Sequence, residues 1–130
     1  RANRLPSKAP LFSLRFGYFT SKLGPVCTSF GKRHEFQAIN TNGLKVTGSF
    51  YDNKKGANNK VCVIYLHSMN GSRLEVLAVL LGLVYVQEML RIGVTFCNFD
   101  FSGCGNSEGN AISFGANEKN DVYAVVELLR

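Results

Sequence analysis

The chain has 130 residues, 45% apolar and 18% charged, which excludes a wholly disordered polymer and fits one soluble globular domain with a modest buried core. Its net charge of +6 is concentrated at one end: residues 1–34 hold seven Lys or Arg and no acid, whereas residues 35–130 hold eight basic and nine acidic side chains. The near-neutral body argues against a nucleic-acid partner, and no run reaches the roughly 18 apolar residues of a membrane-spanning helix.

The first segment, RANRLPSKAPLFSLRFGYFTSKLGPVCTSFGKRH (1–34), is a basic, aromatic extension set apart from residues 35–130. Three readings fit it: a transit peptide, a peripheral contact with a membrane surface, or a solvated extension. Phe12, Leu14, Phe16 and Tyr18 alternate as in a strand, while Leu11, Phe12, Phe16 and Phe19 line one helix face, so periodicity leaves its structure open. Six apolar side chains among residues 11–19 are many to leave in water, and the segment is expected to pack somewhere. The chain starts at Arg1 and stops at Arg130 inside an apolar helical pattern without a stop signal, so it reads as part of a longer product.

From residue 35 the pattern becomes regular. EFQAIN, the turn TNG and LKVTGSFY read as two strands joined by an Asn-Gly hairpin. DNKKGANNK (52–60) is a polar surface loop, and VCVIYL (61–66) is a β-branched run of the kind found in central parallel strands buried on both faces. Ser72 and Glu75 spell a capping box, S-x-x-E, that opens a helix running to about Arg91. Its apolar run, VLAVLLGLVYV (76–86), reads as a buried core helix, and Gly93 reads as its left-handed terminator.

GVTFCNF (93–99) is a second apolar strand, followed by the glycine-rich DFSGCGNSEGNAIS. From about Gly115 a last helix places Val122, Val125, Val126 and Leu129 on one stripe. A strand, a crossover helix and a second strand make a right-handed parallel βαβ unit. The fold class is therefore α/β, an antiparallel N-terminal hairpin leading into a parallel sheet with flanking helices. Ligands in such sheets sit beyond the carboxyl ends of the strands, here HSMNG (67–71) and DFSGCGNSEG (100–109).

Cys27, Cys62, Cys97 and Cys104 form no CxxC pair and have no interleaved histidines, so no metal site is assigned. Cys62 and Cys97 fall inside strand-like runs, where cysteine acts as a small buried hydrophobe. A reducing, cytoplasmic compartment is expected, with a possible peripheral membrane contact through residues 1–34.

The first loop leads into a helix N-terminus, so backbone N–H groups around Ser68 to Gly71 can face a developing negative charge, as in an oxyanion hole. Equally, Gly71 could only make the turn and His67 only bond across the loop; an anion site helped by Arg73 is a third reading. The second loop contains GNSEG, the letters of the G-x-S-x-G elbow. An elbow serine sits between a strand that has just ended and a helix that starts at once, whereas Ser107 lies seven residues beyond Asp100 and is followed by more loop. An activated serine also needs a histidine base, and none follows Ser107; the two histidines are His34 and His67. Ser107 therefore reads as a brace, with Asp100 accepting bonds from following N–H groups, Gly103 and Gly105 permitting unusual backbone angles, and Glu108 solvated. A dinucleotide fingerprint does not fit either, because Gly109 falls one residue late and no helix opens there.

VCVIYLHSMNGSRLE, GVTFCNFDFSGCGNSEG and SFGANEKNDVYAVVELLR together resemble the first half of an α/β-hydrolase domain. The similarity is to the serine aminopeptidase-like (S33-type) or acyl-thioesterase-like branch, with its H-G-N-x-G loop and its D-[FY]-x-G-x-G-x-S-x-G loop. Asp100, Phe101, Gly103, Gly105, Ser107 and Gly109 match the second motif, in which the serine is structural. The resemblance covers residues 35–130 and implies that His67, Ser68, Met69, Asn70 and Gly71 form the oxyanion loop, with the Met69 N–H as one donor. It implies that nucleophile, acid and catalytic histidine all lie beyond Arg130, so no catalytic residue is assigned within this chain. It further implies an ester, thioester or amide substrate, an acyl-enzyme, and no cofactor or metal. Ser68 stands where the family has glycine, a departure that also fits a catalytically inactive binding or scaffold protein of the same fold.

Overall fold

Alternation of apolar and polar side chains organises the first two strands of the computed structural model, which describes residues 31–53, 61–78 and 80–130. The readings made for residues 1–30, Cys27 included, and for the loop at 54–60 lie outside the described residues. In β1 (Gly31–Ile39) Phe36 and Ala38 are buried while Gln37 and Ile39 are exposed. Residues 31–34, grouped above with the N-terminal segment, are thus the start of this strand. β2 (Lys45–Asn53) pairs with it antiparallel, placing Phe36 opposite Gly48, and the Phe36 ring occupies the space a side chain at 48 would need. The hairpin turn is held by Asn40, whose Oδ1 accepts the N–H groups of Asn42 and Leu44, both at 2.9 Å.

The later elements are β3 (Cys62–Tyr65), α1 (Glu75–Ala78), α2 (Leu80–Arg91), β4 (Thr95–Phe99) and α3 (Glu118–Leu129). The sheet order is β1-β2-β4-β3, with β4 antiparallel to β2 and parallel to β3. This is a mixed α/β sheet with helices on both faces, as the element order predicts. β4 is its centre, and all five of its residues are buried. Phe96 packs with Tyr51, Val86 and Leu90 toward α1 and α2, and Cys97 and Phe99 pack with Val125 and Leu128 of α3 on the other face.

Several elements depart from the sequence reading, each for a tertiary reason. β3 is only partly buried: among the described residues it pairs with β4 alone, and Val61, Cys62 and Leu66 are exposed. Cys62 is consequently an exposed thiol, not a buried hydrophobe, while Cys97 is fully buried. α2 is not buried all round either, since Val84 and Tyr85 point outward. It ends at a Schellman-type cap in which Val94 N–H donates to Met89 O and Gly93 N–H to Leu90 O, with Gly93 at φ 93°. On α3 the most buried residues are Glu118, Asp121, Val125 and Leu128, a face rotated from the predicted apolar stripe because two carboxylates on it are hydrogen-bonded inside. No described helix is long and apolar enough to cross a membrane.

Candidate functional site

β3 and β4 run parallel, so the segments that follow them emerge side by side at one end of the sheet. The two are tied together by a histidine. His67 is buried, and its Nε2 lies 3.1 Å from the Phe101 N–H while its Nδ1 lies 2.8 Å from Ser68 O. A backbone N–H can only donate, so Nε2 must offer its lone pair and the ring proton sits on Nδ1, donating to Ser68 O. His67 thus bonds both loops at once, and its ring also packs edge-on against Phe101 at 4.9 Å.

Ser68 is held at every polar atom. Its N–H and its Oγ–H each donate to Glu75 Oε2 at 3.0 Å, and its carbonyl accepts from His67 Nδ1 and, at 3.0 Å, from Gly71 N–H. Asn70 takes the left-handed conformation at φ 63° that brings Gly71 back to that carbonyl. The peptide joining Ser68 to Met69 is planar and trans, so its C=O and N–H point in opposite directions. With the carbonyl drawn toward His67 and Gly71, the Met69 N–H is turned away from them. The N–H groups of Met69 and Asn70 have no partner among the described residues, and the Met69 side chain is exposed.

The capping box read at Ser72 and Glu75 does not form. Glu75 N–H bonds Ser72 O at 2.9 Å, but the Glu75 carboxylate reaches back to Ser68 instead. Glu75 also lines an apolar cavity of about 600 Å³ between β3 and the helices, together with Tyr65, Leu66 and Tyr85. The reading of Arg73 as the helper of an anion site is likewise overturned. Its guanidinium is buried and engaged with Asp100, with Ser49 Oγ at 3.2 Å and with Glu35 at 3.4 Å, so it has no face left for a free anion.

The second loop is pinned on the same arginine. Asp100 is fully buried; one carboxylate oxygen accepts the Arg73 N–H at 2.6 Å, and the other accepts the Arg73 guanidinium and, at 3.0 Å, the Asn106 N–H. Gly105, at φ 52°, lies so close to this carboxylate that a side chain would overlap it. Ser107 Oγ donates to Asp100 O at 2.5 Å and accepts the Thr47 N–H at 2.9 Å, which leaves this hydroxyl engaged on both sides. Gly103 and Gly109 both have positive φ, and Gly103 N–H bonds Glu108 O. Glu108 is not simply solvated: its carboxylate accepts the Lys45 N–H at 2.9 Å.

Two further groups escaped the sequence reading. Asp121, fully buried on α3, accepts Asn40 Nδ2 and Ser102 Oγ, both at 2.7 Å, and Ser102 N–H at 2.8 Å, joining hairpin, loop and helix. Glu118 accepts Ser113 N–H, Ser113 Oγ–H and Gly115 N–H, all at 2.7 Å. Burial pushes the Glu118 carboxyl up, but these bonds outweigh it and hold it at about 2. An acidic residue in the first turn of the last helix, at the head of its apolar residues, was the available signal for both. Burial raises Cys97, and burial followed by the carboxylates of Asp100, Glu118 and Asp121 raises Cys104, so neither is a thiolate nucleophile at neutral pH. Among the described residues no group of three His, Cys, Asp or Glu could hold a metal ion.

No family model and no curated protein matches this chain by sequence. Solved structures do match. An esterase from Pyrococcus furiosus is 26% identical with a TM-score of 0.65, over 82% of this chain and 38% of that one. A lidless α/β serine hydrolase from Xanthomonas campestris is 20% identical with a TM-score of 0.61, over 75% of this chain and 44% of that one. An α/β serine hydrolase homologue from Coxiella burnetii is 18% identical with a TM-score of 0.56, over 72% and 43%. The chain therefore has part of the α/β-hydrolase fold, and it spans less than half the length of these structures.

Proposed function

We propose that this chain is the N-terminal part of a serine hydrolase of the serine aminopeptidase-like or acyl-thioesterase-like branch, cleaving an ester, thioester or amide through an acyl-enzyme. The observation that carries this reading is the peptide between Ser68 and Met69, whose carbonyl is bonded to His67 and Gly71 so that its N–H, without a partner among the described residues, points away from them at the carboxyl end of the sheet. Such an N–H is a preorganised donor for the oxyanion of a tetrahedral intermediate, and one donor of that kind contributes about 3 to 4 kcal/mol of transition-state stabilisation. His67 through Gly71 supply half of the oxyanion hole; the second donor, the nucleophile, the acid and the catalytic histidine belong to chain beyond Arg130. Asp100, Gly103, Gly105, Ser107 and Gly109 support the loop beneath the site, and Ser107 does not attack.

The test is the complete reading frame and its product. A strand, a G-x-S-x-G elbow and a helix are expected within about 30 residues of Arg130, and the full-length protein should be labelled by a serine-directed phosphonate. Ser107→Ala should keep that labelling. A frame without an elbow, or a folded full-length protein that takes no label, favours the inactive binding or scaffold alternative.

A further inference from the structure

We infer that Glu75 is a positioning residue for the oxyanion donor: a latch on the amide and hydroxyl of Ser68 that fixes this residue, and through it the direction of the Ser68–Met69 peptide that follows, and makes serine, in place of glycine, a working part of this loop. The inference rests on the hydrolase reading above and adds to it a residue outside the loop. Three independent features converge on one carboxylate oxygen. Ser68 N–H and Ser68 Oγ–H both donate to Glu75 Oε2, and Gly71 lies where any side chain would overlap that same oxygen. Gly71 has no positive φ, and the Glu75 carboxylate fills the space beside its Cα, so a side chain there would push that carboxylate off Ser68.

The geometry divides the work between two anchors. His67 Nδ1–H and Gly71 N–H draw the Ser68 carbonyl to one side, and Glu75 fixes the amide and hydroxyl on the other. Glu75 thus fixes the peptide that precedes Ser68 together with its side chain, and the carbonyl anchors fix the peptide that follows, so both backbone torsions of Ser68 are restrained and the Met69 N–H keeps one direction. A glycine at 68 would lack the hydroxyl bond and would have wider φ and ψ freedom, so the serine replaces flexibility with a side-chain tie. The anchor comes from α1, so the loop is fixed relative to the sheet and not only to itself.

The test compares Glu75→Ala, Glu75→Gln and Ser68→Ala in the full-length protein with a p-nitrophenyl ester. Concentrations are corrected to active sites by titration with the phosphonate. Glu75→Ala is expected to lower kcat by about 10- to 100-fold with KM changed less than about twofold, because a misdirected donor acts on the transition state and not on ground-state binding. Glu75→Gln keeps an acceptor for the Ser68 N–H and should recover most of the loss, while Ser68→Ala, which removes one of the two bonds, should fall between. A kcat per active site that is unchanged in both Glu75→Ala and Ser68→Ala overturns the inference, even if thermal stability drops. Amide hydrogen exchange separates this result from failure of the hydrolase reading. If the wild-type protein shows neither turnover nor label, the hydrolase reading falls and the catalytic part of the inference with it. The latch itself then stands if Ser68 amide exchange quickens about tenfold in Glu75→Ala with β4 unchanged, and falls if exchange is unaltered.

Discussion

The loop after β4 is tied to its neighbours through four residues, whereas the loop after β3 gathers its bonds on one residue and leaves the next two amides without a partner among the described residues. Asp100, Asn106, Ser107 and Glu108 bond to Arg73, to β2 and to each other. In the first loop the bonds meet at Ser68 and stop there. The difference separates bracing from presenting: the side chains of the second loop are spent on holding its shape, while an amide fixed in direction without a partner can receive a ligand's charge. It also shows why a match in letters misleads. The Ser107 hydroxyl is already donor and acceptor within the fold, so the serine of GNSEG has no bond left for a base.

Replacements in the second loop should therefore be read mainly in stability. The largest effect is expected for Asp100→Asn, which leaves the buried Arg73 guanidinium without its nearest and fully buried charged partner, with only the half-buried Glu35 remaining at 3.4 Å; a loss of about 3 kcal/mol is expected by urea denaturation of the full-length protein. A cost no greater than that of an exposed substitution would erase the contrast between the loops. Gly105→Ala follows at about 2 to 3 kcal/mol, since it places a methyl group in the Asp100 carboxylate at a positive φ.

The Glu118 staple gives a pH-dependent version of the same contrast. Its carboxyl is lowered on folding from 4.5 to about 2, so its contribution is complete above about pH 4.5 and is lost as pH falls toward 2. On the order of 2 kcal/mol of acid-sensitive stability is expected from it, and Glu118→Gln should flatten the fall in melting temperature across that window. Ser107→Ala is the smallest of the four, at about 1 kcal/mol for two hydrogen bonds exchanged partly for water. It sharpens the comparison most, because phosphonate labelling should survive it while changes at Glu75 alter kcat.

Local chemistry made much of the architecture legible. The period-two pattern of residues 35–51, the apolar runs at 61–66 and 93–99, and Gly93 after the helix each depend on a few neighbouring residues, and each produced the expected type of element. Misreadings arose where a residue had both a local and a distant partner. Ser72 and Glu75 spell a capping box, but Glu75 takes the Ser68 amide and hydroxyl. Arg73 sits at a helix start as if to meet an anion, but Asp100, 27 residues on, and Glu35, 38 residues back, already occupy it.

What the sequence determined by itself was the order and kind of the elements and the two loops where chemistry could sit, because hydrophobic period, turn residues and glycine spacing act over a few positions. The tertiary structure alone decided which carboxylate meets which donor. Asn40 and Asp121 lie 81 residues apart and Asp100 and Arg73 lie 27 apart, yet each pair closes a buried hydrogen bond that no local pattern encodes. A buried polar group must find a partner or carry its desolvation penalty, and only the packed fold brings those partners within reach.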